Sequence, residues 1–386
     1  MSGTIVERYL RLGLQLDRHV EGTVDAYFGP PELAEEVSAA PPADPAALVA
    51  DAEALLGELP DGWLHDQVRG LHTFARVVAG ETIPYADEVE RCYGVRPMRV
   101  DESAFADAHA RLDELLPGEG SLAERHQGWR NESAVPRDQI ERVVTAVIAE
   151  ARAWTARLVE LPAGEHVTVE IVQDKPWGGF CYYLGGLESR IELNADLPRS
   201  ADELVHLALH ETYPGHHAER CLKDAALARG AGLLEETIVL VPTPQSMIAE
   251  GIAELATSLV LEGEEGAVLA GVVNDAGLEL DLGRVLAIER ALRPCEWVDV
   301  NAALMLYEDG ADEADARAYL ERWALVTPER SAHVIRFLRE PTSRSYILTY
   351  AAGRDLCERW VGGDLHRFRR LLTEQVRVRE LLEAIA

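Results

Sequence analysis

Eight consecutive residues, His210-Glu211-Thr212-Tyr213-Pro214-Gly215-His216-His217, set three histidines and a glutamate around a Pro-Gly pair. Imidazole nitrogens bind zinc, and a carboxylate beside a ligand histidine can take a proton from water at the metal. The stretch reads as a lengthened H-E-x-x-H. In that motif two histidines four apart lie about 40° from each other on one helix face, one turn apart. Here the gaps from His210 are six and seven residues. On an unbroken helix His216 would sit about 120° from His210, and His217 would return to that face only about 10 Å further along. Neither pair could then share an ion.

Pro214 changes that geometry. It has no N–H for the carbonyl of His210, and its ring clashes there. Gly215 permits a positive φ. The expectation is a helix that opens between Thr212 and Gly215, loops out two residues and returns His216 to a ligand position. Four of the chain's 12 histidines, at 206, 210, 216 and 217, fall in this region, which favours a metal site over scattered surface histidines.

A catalytic zinc takes three protein ligands and keeps one position open. Glu250, 34 residues beyond His216 in Ala249-Glu250-Gly251-Ile252-Ala253-Glu254, is the candidate third ligand. Glu254 lies four residues on, on the same helix face. One carboxylate can bind metal while the other accepts from the far ring nitrogen of a ligand histidine and fixes its tautomer. Their neighbours are almost all apolar, so two carboxylates here need partners. Gly251 would let another helix approach closely. His206, one turn before His210, is a candidate neighbour of the ligands, an alternative ligand or a buried structural histidine.

The elements that must position these groups are mostly helical. Apolar spacing predicts helices over 4–20, 46–58, 63–79, 103–115, 137–160, 246–263, 267–290, 311–324, 328–339, 346–360 and 364–384. The weakly periodic segment 117–136 reads as an exposed connection. Residues 166–172, 178–184 and 189–194 read as strands of a small antiparallel sheet inserted before the motif helix. Ser200-Ala201-Asp202-Glu203 is a capping-box start for that helix. The strand 189–194 is expected at the sheet edge beside the metal, where it could pair with an extended substrate. The fold class is therefore mainly α with a small inserted sheet. A helical region 1–160 and a metal-site region 161–386 are expected to form one compact unit.

The chain has 386 residues, 47% of them hydrophobic, enough for a large core. Its formal net charge of −30 repels phosphate backbones and anionic membranes, which argues against both as partners. No apolar run is long enough to cross a membrane, and the N-terminus lacks the basic and apolar pattern of a secretory signal. The five cysteines are odd in number and scattered, without C-x-x-C, so reduced thiols and a cytoplasmic location are expected. The sequence carries no signal for oligomeric state.

The string H-E-x-x-P-G-H-H, followed by a Glu-Gly helix, resembles the bacterial proteins grouped as domain of unknown function 885. These are regarded as largely helical and zinc-metallopeptidase-like. The resemblance rests on His210-Glu211, Pro214-Gly215-His216-His217 and Glu250-Gly251, and covers roughly 190–260. Tyr350-x-x-Gly353 is similar to a further element of that family. Ala218-Glu219 and Ile252 depart from the usual Leu-Gln and aromatic residues at those places. The resemblance implies His216 as the ligand, with His217 behind it or donating to the substrate oxyanion, and Tyr350 as another oxyanion donor. Tyr346 is a weaker candidate for that role.

Together these readings give an expected hydrolase holding one zinc ion through His210, His216 and Glu250. Glu211 is its expected general base and a peptide or small amide its substrate. A bound zinc lowers the pKa of its water toward about 7. A non-peptide ester or amide hydrolase, a protein with a vestigial site, and an iron or manganese enzyme are the alternatives.

Overall fold

The computed structural model describes residues 3–175, 177–196 and 199–386. Helices dominate, and the strands form two small sheets. β1 (Val24–Tyr27) pairs antiparallel with β5 (Ile238–Leu240). β2 (His166–Val172), β3 (Gly179–Gly185) and β4 (Glu188–Asn194) form the other sheet, in the order β2-β4-β3. The expected mainly helical protein with a small inserted sheet is thus observed.

The inserted sheet is mixed, however, not antiparallel. β4 runs parallel to β2 and antiparallel to β3. The β3–β4 hairpin turns through Gly185 and Gly186, with φ of 74° and 70°, values that glycine adopts without steric cost. The hairpin puts β4 at the centre, so 189–194 is not the edge strand. β3 is the edge that faces the motif helix. A Cβ on Gly179 would come within 2.7 Å of the Leu207 side chain, so the missing side chain is what lets strand and helix meet.

The helix pattern departs from expectation where local breakers outweigh periodicity. Residues 117–136 contain a helix, Leu122–Glu132, begun by a Ser121/Glu124 capping box. The stretch 267–290 splits into Glu264–Asp275 and Leu282–Leu292, with Gly277 at φ 85° between them. The stretch 364–384 likewise splits into Leu365–Thr373 and Val378–Ile385. β1 and β5 carry too few residues for alternation to reveal them.

One core gathers apolar residues from Tyr85 to Leu381, so chain on both sides of position 160 shares it. A second core, from Tyr9 to Ala75, is closed by Ile238 and Leu240 of β5. The first is built around the helix Pro244–Leu261, which carries Glu250 and is buried along nearly its whole length. It crosses the helix Leu348–Val361 at a pair of glycines. A Cβ on Gly251 would lie 2.4 Å from the Gly353 carbonyl oxygen, and one on Gly353 would lie 2.6 Å from that of Met247. The nearest atoms are backbone, with Cys357 Sγ beside them 2.5 Å from a Cβ on Gly251, so little can yield.

The expected approach of a helix to Gly251 is thus met by the glycine of Tyr350-x-x-Gly353. The contact sets the distance between Glu250 and the tyrosines at 346 and 350. Gly353→Ala should therefore cost about 1–3 kcal/mol by overpacking. Chemical denaturation checks this; a midpoint equal to that of the wild type would show that the crossing tolerates a methyl group.

Candidate metal centre

The helix Ala201–Glu211 begins at the expected capping box, where Ser200 N–H donates to the Glu203 carboxylate at 3.2 Å. It ends at the expected place. Thr212 leaves helical geometry, the Tyr213-Pro214 peptide is cis, and a new helix runs His216–Lys223. Gly215 N–H reaches back to Leu209 O at 3.2 Å, and Ala218 N–H to Thr212 O at 3.0 Å. Gly215 has φ −76°, so positive φ is not its purpose. A Cβ there would lie 1.9 Å from the His210 carbonyl oxygen. The glycine is required because the chain folds back against the turn it has just left.

The break brings His210 and His216 together, with ring centroids 4.8 Å apart and planes at 87°. Both face Glu250. His210 Nε2 lies 3.5 Å from Glu250 Oε2, and His216 Nε2 lies 3.3 Å from Oε1. Two ligands at about 2.0–2.1 Å on one tetrahedral ion stand about 3.3–3.4 Å apart, so these spacings suit a shared metal. Ligand atoms of His210, Glu211 and His216 also lie within 4.8 Å of one another. Glu250 Oε2 and Nδ1 of His216 are buried without hydrogen-bond partners. His210, Glu211, His216 and Glu250 are all less than 9% exposed. Three carboxylates, Glu211, Glu250 and Glu254, converge on neutral-capable imidazoles, and a divalent cation would balance them.

Glu254 lies on the expected side of His210, 3.4 Å from Nδ1, although Nδ1 makes no hydrogen bond there. Nε2 faces Glu250. His206 is one turn back, with Nδ1 2.9 Å from Thr257 Oγ1 and Nε2 3.9 Å from Glu254. His206, His210 and Glu254 form a second group with metal-ligand spacing, but His206 is the more exposed member. Tyr346 donates its hydroxyl to Glu250 Oε1, so it orients the carboxylate. The Tyr350 ring packs 5.6 Å from that of Tyr346. Its hydroxyl forms no hydrogen bond among the described residues, while the charges of Glu250, Glu254 and Glu211 all reach it.

His217 is not brought to this cluster. It is fully buried and turned toward other partners, with Nδ1 2.7 Å from Ser189 Oγ and Nε2 3.2 Å from Glu165 Oε2. Tyr213, inside the break, donates to the same Glu165 oxygen, and Arg152 pairs with the other. With both nitrogens engaged, His217 has none left for an ion or an oxyanion. Its place is in a clamp that ties the break to β4 and to Glu165. Sequence reasoning overlooked Glu165 because it lies far upstream in a loop; Tyr213, within the motif, was the available signal.

Charge in the pocket follows from these contacts. Burial opposes protonation of His210, but the bond to Glu254 and the charges of Glu211, Glu250 and Glu254 outweigh it and carry the pKa up to about 10. Burial likewise works against ionisation of Glu254, yet His206 and His210 bring its carboxyl down to about 2. Burial raises Glu211, only partly offset by His210 and His216, which suits a group that must accept a proton. Glu250 is lowered despite burial by the same two histidines.

Among the described residues, no helix is long and apolar enough to cross a membrane. No family model matches the chain, and no curated protein does. Solved structures that it resembles include a provisionally assigned lipoprotein from Colwellia psychrerythraea. That match has a TM-score of 0.57 and 18% identity, over 88% of this chain and 62% of the other. Another is a provisionally assigned lipoprotein of unknown function from Shewanella oneidensis, with a TM-score of 0.52 and 13% identity over 91% of this chain and 69% of the other. The chain thus spans less than two thirds of the Colwellia protein. At these identities the likeness shows a shared fold.

Two outcomes follow for metal binding. His216→Ala and Glu250→Gln should each abolish stoichiometric zinc in dialysed protein, measured by elemental analysis; full occupancy in either variant would remove that ligand. The surrounding carboxylates favour the protonated form of His210 in the metal-free site, so a zinc ion binding there would have to displace that proton. Zinc affinity should therefore fall as pH is lowered from 8 to 6, by about tenfold per unit for a single proton released. Competition with a chelator of known pH dependence reads this directly, and a flat profile would contradict it.

Proposed function

We propose that the protein is a zinc-dependent hydrolase, and specifically a peptidase. The observation that carries this reading is the pairing of two histidine nitrogens with the two oxygens of Glu250, with the Glu211 carboxylate within 4.8 Å of the same two histidines. His210, His216 and Glu250 would hold the ion. Zinc bound there would polarise a scissile carbonyl and acidify water.

Glu211 then has the place of a general base. It takes a proton from the attacking water and returns it to the nitrogen of the leaving amine as the C–N bond breaks. We assign the Tyr350 hydroxyl the role of donor to the developing oxyanion. Glu254 and Tyr346 orient His210 and Glu250. The peptide reading is supported by β3, an edge strand of its sheet that meets the motif helix where Gly179 faces Leu207, a place where an extended chain could pair. A peptidase is also what the resemblance at His210–His217 and Glu250-Gly251 implies.

Glu211→Gln should keep one zinc per chain and lose hydrolysis by several orders of magnitude, at least the 10²–10⁴-fold typical of a lost general base, roughly. Tyr350→Phe should lower kcat by about 10²-fold with KM little changed, the pattern of an interaction made only in the transition state. Fluorogenic peptides on metal-verified protein give both numbers. Unchanged turnover in the glutamine variant would remove the proposed base.

A further inference from the structure

The helix that supplies His210 carries a second, more open imidazole one turn earlier. His206 precedes His210 by four residues, so the two lie on one face with an axial offset of about 6 Å. Their ring centroids are 5.6 Å apart. The His210 side chain is 10% exposed and that of His206 is 35% exposed, so His206 stands on the solvent side of the metal centre.

The two nitrogens of His206 have different surroundings. Nδ1 lies 2.9 Å from the hydroxyl oxygen of Thr257, a buried residue of the helix that carries Glu250 and Glu254. That hydroxyl has no other partner among the described residues, so it satisfies its proton by donating to Nδ1. With Nδ1 as acceptor, the ring proton sits on Nε2. The Glu254 carboxylate on that side favours the same arrangement. Nε2 lies 3.9 Å from Glu254 Oε1, too far for a hydrogen bond. The gap is also wider than the about 3.3–3.4 Å between two ligands on one tetrahedral zinc. Nε2–H is therefore a donor without an acceptor among the described residues, at the mouth of the metal centre.

An extended peptide has a matching spacing. Its residues rise about 3.2–3.4 Å each and alternate in direction, so carbonyls two residues apart point the same way, about 6.4–6.8 Å from each other. That is close to the helical turn that separates His210 from His206. Leu207, against which Gly179 of β3 packs, is the next residue, so the edge strand and His206 flank the same turn. We infer that His206 is a substrate-binding residue whose Nε2–H donates to the backbone carbonyl two residues from the scissile one. This rests on the peptidase reading and adds to it a requirement for an extended substrate with an intact carbonyl at that place. The bond forms when the peptide binds and persists through the reaction, so it lowers KM rather than raising kcat.

The experiment uses zinc-loaded protein and a hexapeptide series in which each backbone carbonyl in turn is replaced by a thioamide, whose sulfur is a weaker acceptor. Products from the parent protein locate the scissile bond and give KM and kcat. Binding is measured in parallel by calorimetry in a Glu211→Gln background, which needs no turnover. His206→Ala should keep one zinc per chain and raise Kd and KM of the all-oxygen peptide about two- to tenfold, with kcat little changed. A thioamide at one position, two residues from the scissile bond, should weaken binding where His206 is present and have no effect in His206→Ala. Thr257→Val should reproduce part of the loss, and Thr257→Ser, which keeps the hydroxyl, should restore it. That pair tests the donor even if His206→Ala does not fold. Unchanged Kd in His206→Ala, or the same thioamide penalty with and without His206, would overturn the donor. Loss of zinc from His206→Ala would overturn it as well, by making His206 a ligand. Peptides that bind with one His206-dependent thioamide position but are never cleaved would leave the donor standing and overturn the peptidase reading. Absence of any peptide binding would overturn both.

Discussion

The interruption of one helix is the constraint on which the rest of this structure depends. Without it His210 and His216 face different directions and cannot both reach Glu250. The opening is held from both ends. Pro214 withholds the N–H that would continue the helix, and the missing Cβ of Gly215 lets the chain fold back onto the His210 carbonyl. Below it, Glu165 gathers Tyr213 and His217 in a buried knot fastened to Ser189 on the central strand. The second histidine of the pair thus holds the first one in place.

A second constraint is the glycine crossing. Gly251 and Gly353 bring two helices so close that Tyr346 can bond to Glu250 and Tyr350 can stand over the same carboxylates. Each glycine lies within three residues of a group with a proposed chemical role. Packing and chemistry are therefore set by the same few positions, and a change at either glycine acts on both.

Much of the site was legible because its signals are local. Proline after His-Glu announced the break, Ser200 and Glu203 announced the helix start, and two glutamates on an apolar helix face announced a buried need for partners. What was not legible depends on tertiary placement. The order β2-β4-β3 is decided by a crossover that strand composition does not encode, so the central strand could not be told from the edge. His217 looked as available as His216, and only the position of Glu165 separates them.

The central claim is that one ion sits between His210, His216 and Glu250. Anomalous diffraction at the zinc edge, on crystals soaked with the metal, tests it most directly. The account predicts a single strong peak about 2.0–2.1 Å from Nε2 of both histidines and about 2.0–2.2 Å from a Glu250 oxygen. A peak between His206, His210 and Glu254, or no peak at the break, would contradict it.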